Sequence, residues 1–315
     1  MTKNPASPKS SAGDSPTLPR REFLQTAAAV TATTAITSAA LAAEADANDD
    51  AEQPLPILKS VKWGMIRLEA SVLEKFQMQK ELGYDGIEMS SPTNVDLDEA
   101  IAASRKTGMP IHGVVDSVHW KQRLSSPDAA IRQKGLDALL GGLRDTKKLH
   151  GDTVLLVPGK VANEETHDDV WKRSIVEIRK ALPLAARLGV RILIENVWNG
   201  FCETPEQLCD YLDEINSPWV GSYFDIGNVR KFGKSEDWIR ALGHRIVKLD
   251  VKDWGKTNGF GKIGEGDVDW PEVRKALREI KFSGWSTAEV KGGDRQRLAD
   301  IAARMDKHLL AKDVG

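Results

Sequence analysis

Ile192-Leu193-Ile194-Glu195-Asn196 is a short apolar run that stops abruptly at a carboxylate and an amide. Apolar runs of this length, bounded by helical patterns, read as strands buried on both faces. A carboxylate at the C-terminal end of such a strand has left the packed layer and reached the loop face, where α/β barrels keep their chemistry. The same figure recurs three times downstream. Gly221-Ser222-Tyr223-Phe224 ends in Asp225, Ile246-Val247-Lys248-Leu249 ends in Asp250, and Trp285-Ser286-Thr287-Ala288 ends in Glu289. Four successive strands each bring an acid to one rim.

Outward from that stretch, apolar strand and amphipathic helix alternate from Val61 onward, the βα pattern of a parallel sheet. The pattern predicts strands over 61–66, 86–89, 111–116, 153–157, 192–195, 220–225, 246–252 and 286–290. Helices are expected over 71–82, 96–106, 168–188, 235–242, 270–280 and 295–309, with a long one ending at Leu149 and another capped by Thr204 with Pro205 at its first turn. Eight strands and about eight helices predict a closed (β/α)₈ barrel, a single TIM-barrel domain over residues 59–312. An open doubly wound sheet is the alternative. It needs a glycine-rich turn after its first strand, and Arg67-Leu68-Glu69-Ala70 is not one.

The chain has 315 residues, 41% apolar and 29% charged, as in soluble globular proteins. A formal charge of -2 and the lack of a Lys/Arg run argue against a nucleic-acid partner. Cys202 and Cys209 have no zinc spacing, and a seven-residue offset on one helix places them about 10 Å apart, so they read as free thiols. Ahead of the barrel, Arg20-Arg21-Glu22-Phe23-Leu24 precedes an uncharged Ala/Thr-rich run ending in small residues near Ala42. That is the form of a bacterial export signal, and the paired arginines make it resemble the twin-arginine type. Residues 1–43 are expected to be the signal peptide and 44–58 a flexible acidic linker. The expected partner is the twin-arginine export machinery, the expected location the periplasm, with no stable membrane span after cleavage.

In a barrel, neighbouring strand ends lie about 5 Å apart, so Glu195, Asp225, Asp250 and Glu289 line one half of the mouth. Four ionised carboxylates that close repel one another, and either protons or a cation must sit among them. Carboxylate oxygens suit Mg²⁺ or Mn²⁺. Residues from about 61 to 309 resemble the xylose isomerase-like TIM barrels, nearest to the sugar epimerases and hydroxypyruvate isomerase-like enzymes. The segments that carry the resemblance are IEN at Glu195, FDIGN at Asp225, VKLDVKDW at Asp250, GEGDVDW at 264–270, AEV at Glu289 and the His119-Trp120 pair. The resemblance implies that Glu195, Asp225, Asp250 and Glu289 hold the metal and that Glu195 and Glu289 act as acid and base. The third ligand departs from the family, which usually places His where this chain has Asp250.

The chemistry so implied is isomerisation or epimerisation of a sugar or keto acid, by proton removal beside a carbonyl through an enediolate. His119, Trp120, Asn196, Trp198, Asn228, Lys252 and Lys256 are the expected substrate contacts. Lys252 follows Asp250 by two residues and so points the same way, and the indole of Trp198 suits a sugar ring. Glu88, at the end of the second strand, is a further candidate, whereas His112 lies within its strand and reads as structural. Two other functions stay open: a lyase on an oxidised glycoside, and a sugar-binding barrel without catalysis. The apurinic endonuclease barrels need a His-rich zinc cluster, and six His in the whole chain oppose that reading.

Overall fold

Strands this apolar need cover on both faces, and the chain supplies a helix after each one. In the computed structural model, residues 55–162 and 164–312 are described. The strands are β1 (Ile57–Lys62), β2 (Gly86–Ser91), β3 (Ile111–Asp116), β4 (Thr153–Leu156), β5 (Arg191–Glu195), β6 (Val220–Asp225) and β7 (Ile246–Val251). A small antiparallel hairpin of β8 (Trp254–Gly255) and β9 (Gly259–Phe260) follows, and β10 (Gly284–Ala288) is the eighth strand of the barrel. All eight barrel strands run parallel, and β10 pairs with both β7 and β1, which closes the sheet. The predicted (β/α)₈ barrel is therefore the fold, and the open sheet is excluded. The expected leader, residues 1–43, and most of the linker lie outside the described residues.

Around the barrel run α1 (Val72–Glu81), α2 (Leu97–Thr107), α3 (Ala129–Lys148), α4 (His167–Leu188), α5 (Pro205–Ile215), α6 (Ser235–Leu242), α7 (Trp270–Glu279) and α8 (Arg295–His308). Their starts are written locally. Ser71 and Glu74 form a reciprocal cap on α1, Thr166 and Asp169 do the same on α4, and Thr204 caps α5 ahead of Pro205. The main core lies between strands and helices, where Val154, Ile192, Ile194, Phe224 and Leu249 meet Ile178, Leu212, Ile239 and Leu277.

The first strand sits four residues earlier than predicted. Residues 57–62 pair with β10 and β2, while Trp63–Met65 form a 3₁₀ turn above the barrel rim. The apolar residues 61–66 look like a strand, but Met65 and Ile66 join the main core beyond the end of β1, and Trp63 packs beside Phe76 of α1 at 6.0 Å. The linker boundary moves with it, since β1 begins at Ile57 rather than beyond residue 58. The last strand is also earlier, so Glu289 is the first residue past β10 rather than part of the strand.

Inside the barrel Leu155, Leu193 and Tyr223 form an apolar cluster, with Val115 and Val247 packed against it. Below them the interior is polar. Lys248 is 1% exposed, and its ammonium donates to the His112 carbonyl (2.8 Å), Asp152 Oδ1 (2.7 Å) and Thr153 Oγ1 (2.8 Å) and touches His112 Nδ1 (2.9 Å). Burial pushes this lysine below its ordinary pKa. His112 stacks on Trp285 at 4.4 Å and meets Ser60 Oγ at 2.7 Å, the structural role expected of it.

Lys248→Ala should lower stability by about 2–4 kcal/mol, because it opens a cavity and strips donors from the buried His112 carbonyl and Thr153 hydroxyl. Lys248→Met should cost less, and chemical denaturation of both variants measures the difference. His119 supplies a pH test. It is buried, its Nδ1 accepts from the Val157 N–H at 3.2 Å, and burial lowers its pKa to about 4. Between pH 6.5 and about 4 the unfolded chain carries a proton on this ring that the folded chain refuses, so stability is lost as pH falls through that window. The effect is on the order of 3 kcal/mol. His119→Gln should flatten that part of the stability profile.

Candidate active site

Side chains alternate along a strand, so Glu195, Asp225 and Asp250 share the inward parity of Leu193, Tyr223 and Lys248. The register places Glu195 beside Tyr223 and Asp225 beside Asp250. The Glu289 N–H donates to the Val251 carbonyl at 3.0 Å, which fixes the fourth acid just past the end of β10. One oxygen from each of Glu195, Asp225, Asp250 and Glu289 lies within 4.8 Å of the others. The four acids predicted from sequence are thus brought together.

The asparagines hold this arrangement from behind. Asn196 donates through Nδ2 to the Asp225 carbonyl and accepts through Oδ1 from the Asp225 N–H, both at 2.9 Å. Asn228 donates to the Asn196 carbonyl (2.9 Å), and its N–H binds Asp225 Oδ1 (2.7 Å). These bonds latch β5 to β6 and position Asp225, while Asn228 Oδ1 accepts from the Lys252 ammonium at 3.3 Å. Gly227 lets the loop after β6 lie on the end of β7. A Cβ there would stand 2.5 Å from Lys252 Cγ and 2.8 Å from the Lys252 carbonyl oxygen.

Two ammonium groups enter the cluster. Lys252 pairs with Asp225 Oδ2 at 2.9 Å and, more closely, with Glu289 Oε2. Lys62, the last residue of β1, reaches Asp250 Oδ2 at 2.8 Å and Glu289 Oε1 at 2.7 Å. Lys62 was not among the residues expected from sequence, because the first strand was placed to run past it. Its signal was a lysine two residues after Ser60, with inward parity, in a strand flanked by strands that end in acids. Glu88 is fully buried beside Lys62 in register, with Tyr223 near its carboxylate.

Electrostatics follows from burial. Burial, and then the charge of Glu289, raises Glu195 well above the ordinary carboxylate range. Burial raises Asp250 strongly, Asp225 to about 7, and Glu88 as well. Burial acts on Glu289 too, but Lys62 and Lys252 sit on its two oxygens and hold it below the usual range. Both lysines, although buried, are held above their ordinary value by these acids. Five carboxylates face two ammonium groups, so full ionisation leaves a surplus of three negative charges.

A divalent ion fits that surplus. The donors are hard oxygens, and Asp250 Oδ1 is buried with no hydrogen-bond partner. Among the described residues neither ammonium forms an ion pair with Glu195.

A cavity of about 940 Å³ opens beside Glu289, the one acid of the cluster that lines it, with Lys252, Phe260, Lys262, Lys291 and Arg297 among its other walls. Trp198 is half-exposed, with its Nε1 donating to the Asn228 carbonyl at 2.7 Å and its ring 4.7 Å from Phe260. Trp120 is exposed and stands edge-on to His119 at 5.6 Å. Lys256 sits in the β8–β9 turn, exposed, with its N–H bound to Asp267 at 2.7 Å. The cavity there is lined by Lys262 instead, which corrects the assignment of Lys256 to the pocket.

Known proteins share this plan. L-ribulose-5-phosphate 3-epimerase UlaE of Escherichia coli (strain K12) is 26% identical over 258 residues, covering 75% of this chain and 90% of that protein. Among solved structures, D-allulose 3-epimerase from Methylomonas sp. superposes with a TM-score of 0.68 at 19% identity, over 81% of this chain and 97% of that one. The 3-keto-D-glucoside 4-epimerase YcjR from E. coli superposes with a TM-score of 0.68 at 16% identity, over 80% and 98%. At those identities the structures speak for the fold. A family profile described as xylose isomerase-like TIM barrel matches residues 76–309, and the chain belongs to that family.

Proposed function

We propose that this protein is a divalent-metal-dependent isomerase or epimerase of sugars or keto acids, which removes a proton from the carbon beside a carbonyl. The observation that carries the reading is the convergence of Glu195, Asp225, Asp250 and Glu289 within 4.8 Å on four successive strand ends. Their oxygens would hold Mn²⁺ or Mg²⁺. When bound, such an ion polarises adjacent carbonyl and hydroxyl oxygens and supports the charge of an enediolate.

The two glutamates take the two proton-transfer roles. One of them, ionised at the start of the step, takes the proton from the carbon beside the carbonyl. The other enters the step carrying a proton and returns it to the substrate, so the two glutamates exchange protonation states in each turnover. Return to the same carbon is epimerisation, and return to its neighbour is isomerisation. Lys252, which reaches into the acids, is a proposed sugar contact, and so are His119, Trp120 and Trp198. The relatives named for 3-epimerase activity support the same class.

A lyase acting on a keto-glycoside is favoured by one observation. The cavity of about 940 Å³ is near the top of the range for a drug-sized ligand, roughly 300–1,000 Å³. That leaves room for a leaving group beyond one sugar ring.

Incubation with ketoses in deuterated water and Mn²⁺ should place deuterium at the carbon beside the carbonyl. Chelation should abolish the exchange, and exchange that persists without metal sinks the proposal. Release of a glycosidic leaving group marks the lyase. Glu195→Gln should slow exchange by about 10²–10⁴-fold. The protein is further proposed to reach the periplasm by the twin-arginine route. Arg20→Lys with Arg21→Lys should strand it in the cytoplasm, read by cell fractionation.

A further inference from the structure

Lys62 stands where no substrate or metal argument from the sequence required a cation. It is a lysine at the end of β1 with its side chain 12% exposed, and its ammonium touches two acids of the cluster from two different strand ends. Asp250 divides its oxygens. Oδ2 is bound to Lys62 at 2.8 Å, while Oδ1 is buried without a hydrogen-bond partner. One carboxylate thus faces the ammonium with one oxygen and the centre of the cluster with the other. Lys62 also lies over the Tyr223 ring, 5.9 Å from its centroid, which leaves it little room to swing away.

We propose that Lys62 is a second, built-in cation of this centre, tied to the metal site through Asp250, and that its ammonium binds the substrate oxygens on which negative charge develops. This rests on the metal-dependent reading above. The chemistry asks for it. A carbonyl and an adjacent hydroxyl carry two oxygens, and the charge that appears on proton removal spreads over both. A fixed ammonium inside the mouth meets one of them without reorganisation. Its charge also opposes that of an incoming metal. The centre should therefore bind its ion more loosely than four acids alone would, so the same lysine weakens metal binding and strengthens substrate binding.

Those two effects have opposite signs, which a structural role does not produce. Mn²⁺ affinity is read by electron paramagnetic resonance. Binding of glycolohydroxamate, a small two-oxygen mimic of an enediolate, is read by calorimetry on the Mn²⁺-loaded protein. Lys62→Met should bind Mn²⁺ at least tenfold more tightly than the wild type and bind glycolohydroxamate at least tenfold more weakly. Lys62→Arg, which keeps the charge, should restore both in part. Where Lys62→Met folds poorly, Lys62→Gln, which keeps a polar end beside Asp250 and Glu289, takes its place with the same two expected changes. Equal or weaker Mn²⁺ binding by Lys62→Met overturns the inference while leaving the metal reading intact, as does unchanged hydroxamate binding. Absence of Mn²⁺ binding from both the wild type and Lys62→Met rejects the metal reading and this inference with it.

Discussion

Burying a surplus of negative charge at one mouth of a cylinder is the constraint from which the rest follows. Removing one partner from a buried ion pair costs about 3–5 kcal/mol, so the cluster requires its two lysines in place. They are delivered by different parts of the chain. Lys252 follows β7, whereas Lys62 ends β1. The seam that closes the barrel joins β1 to β10, and the Lys62–Glu289 pair straddles that seam at its upper end. Closure of the sheet and neutralisation of the acids go together, because the β1–β10 seam brings Lys62 to Glu289 and Asp250.

The interior below the mouth repeats the device at greater depth. Lys248 is buried at the base and held by a carboxylate, a hydroxyl and a carbonyl. Between the two ends, Tyr223 Oη meets Thr287 Oγ1 at 2.7 Å, and His112 joins Ser60 to Lys248. A polar column therefore fills most of the barrel axis, with Leu155 and Leu193 as its apolar wall. Stability comes mainly from the layer between strands and helices, where apolar burial is extensive. The axis is thereby free to carry charge.

Much of this was legible in the sequence. Apolar runs that stop at acids set both the strand count and the chemical face, and β3, β6 and α6 begin and end where the pattern put them. What failed was the first strand. Residues 61–66 are more apolar than residues 57–60, so hydrophobicity favoured the wrong six, and only pairing with β10 shows that Trp63 and Met65 sit above the rim. That slip hid Lys62. The roles of Asn196 and Asn228 were hidden for another reason. An amide next to a catalytic acid looks the same in sequence whether it faces a ligand or a neighbouring backbone, and here all the hydrogen bonds of Asn196 go to the Asp225 and Asn228 side.

The position of the two lysines also separates two residues of one type. Glu289 has an ammonium on each oxygen and stays ionised. Glu195 has none and is raised by burial and by the charge of Glu289 itself. Two carboxyl groups whose environments drive them apart in proton affinity can exchange protons with a substrate in opposite directions. The asymmetry depends on Lys62, because without it Glu289 would lose one of its two clamps and Asp250 its only ammonium. The lysine that bridges the upper end of the barrel seam is then also one of the two that set Glu289 apart from Glu195.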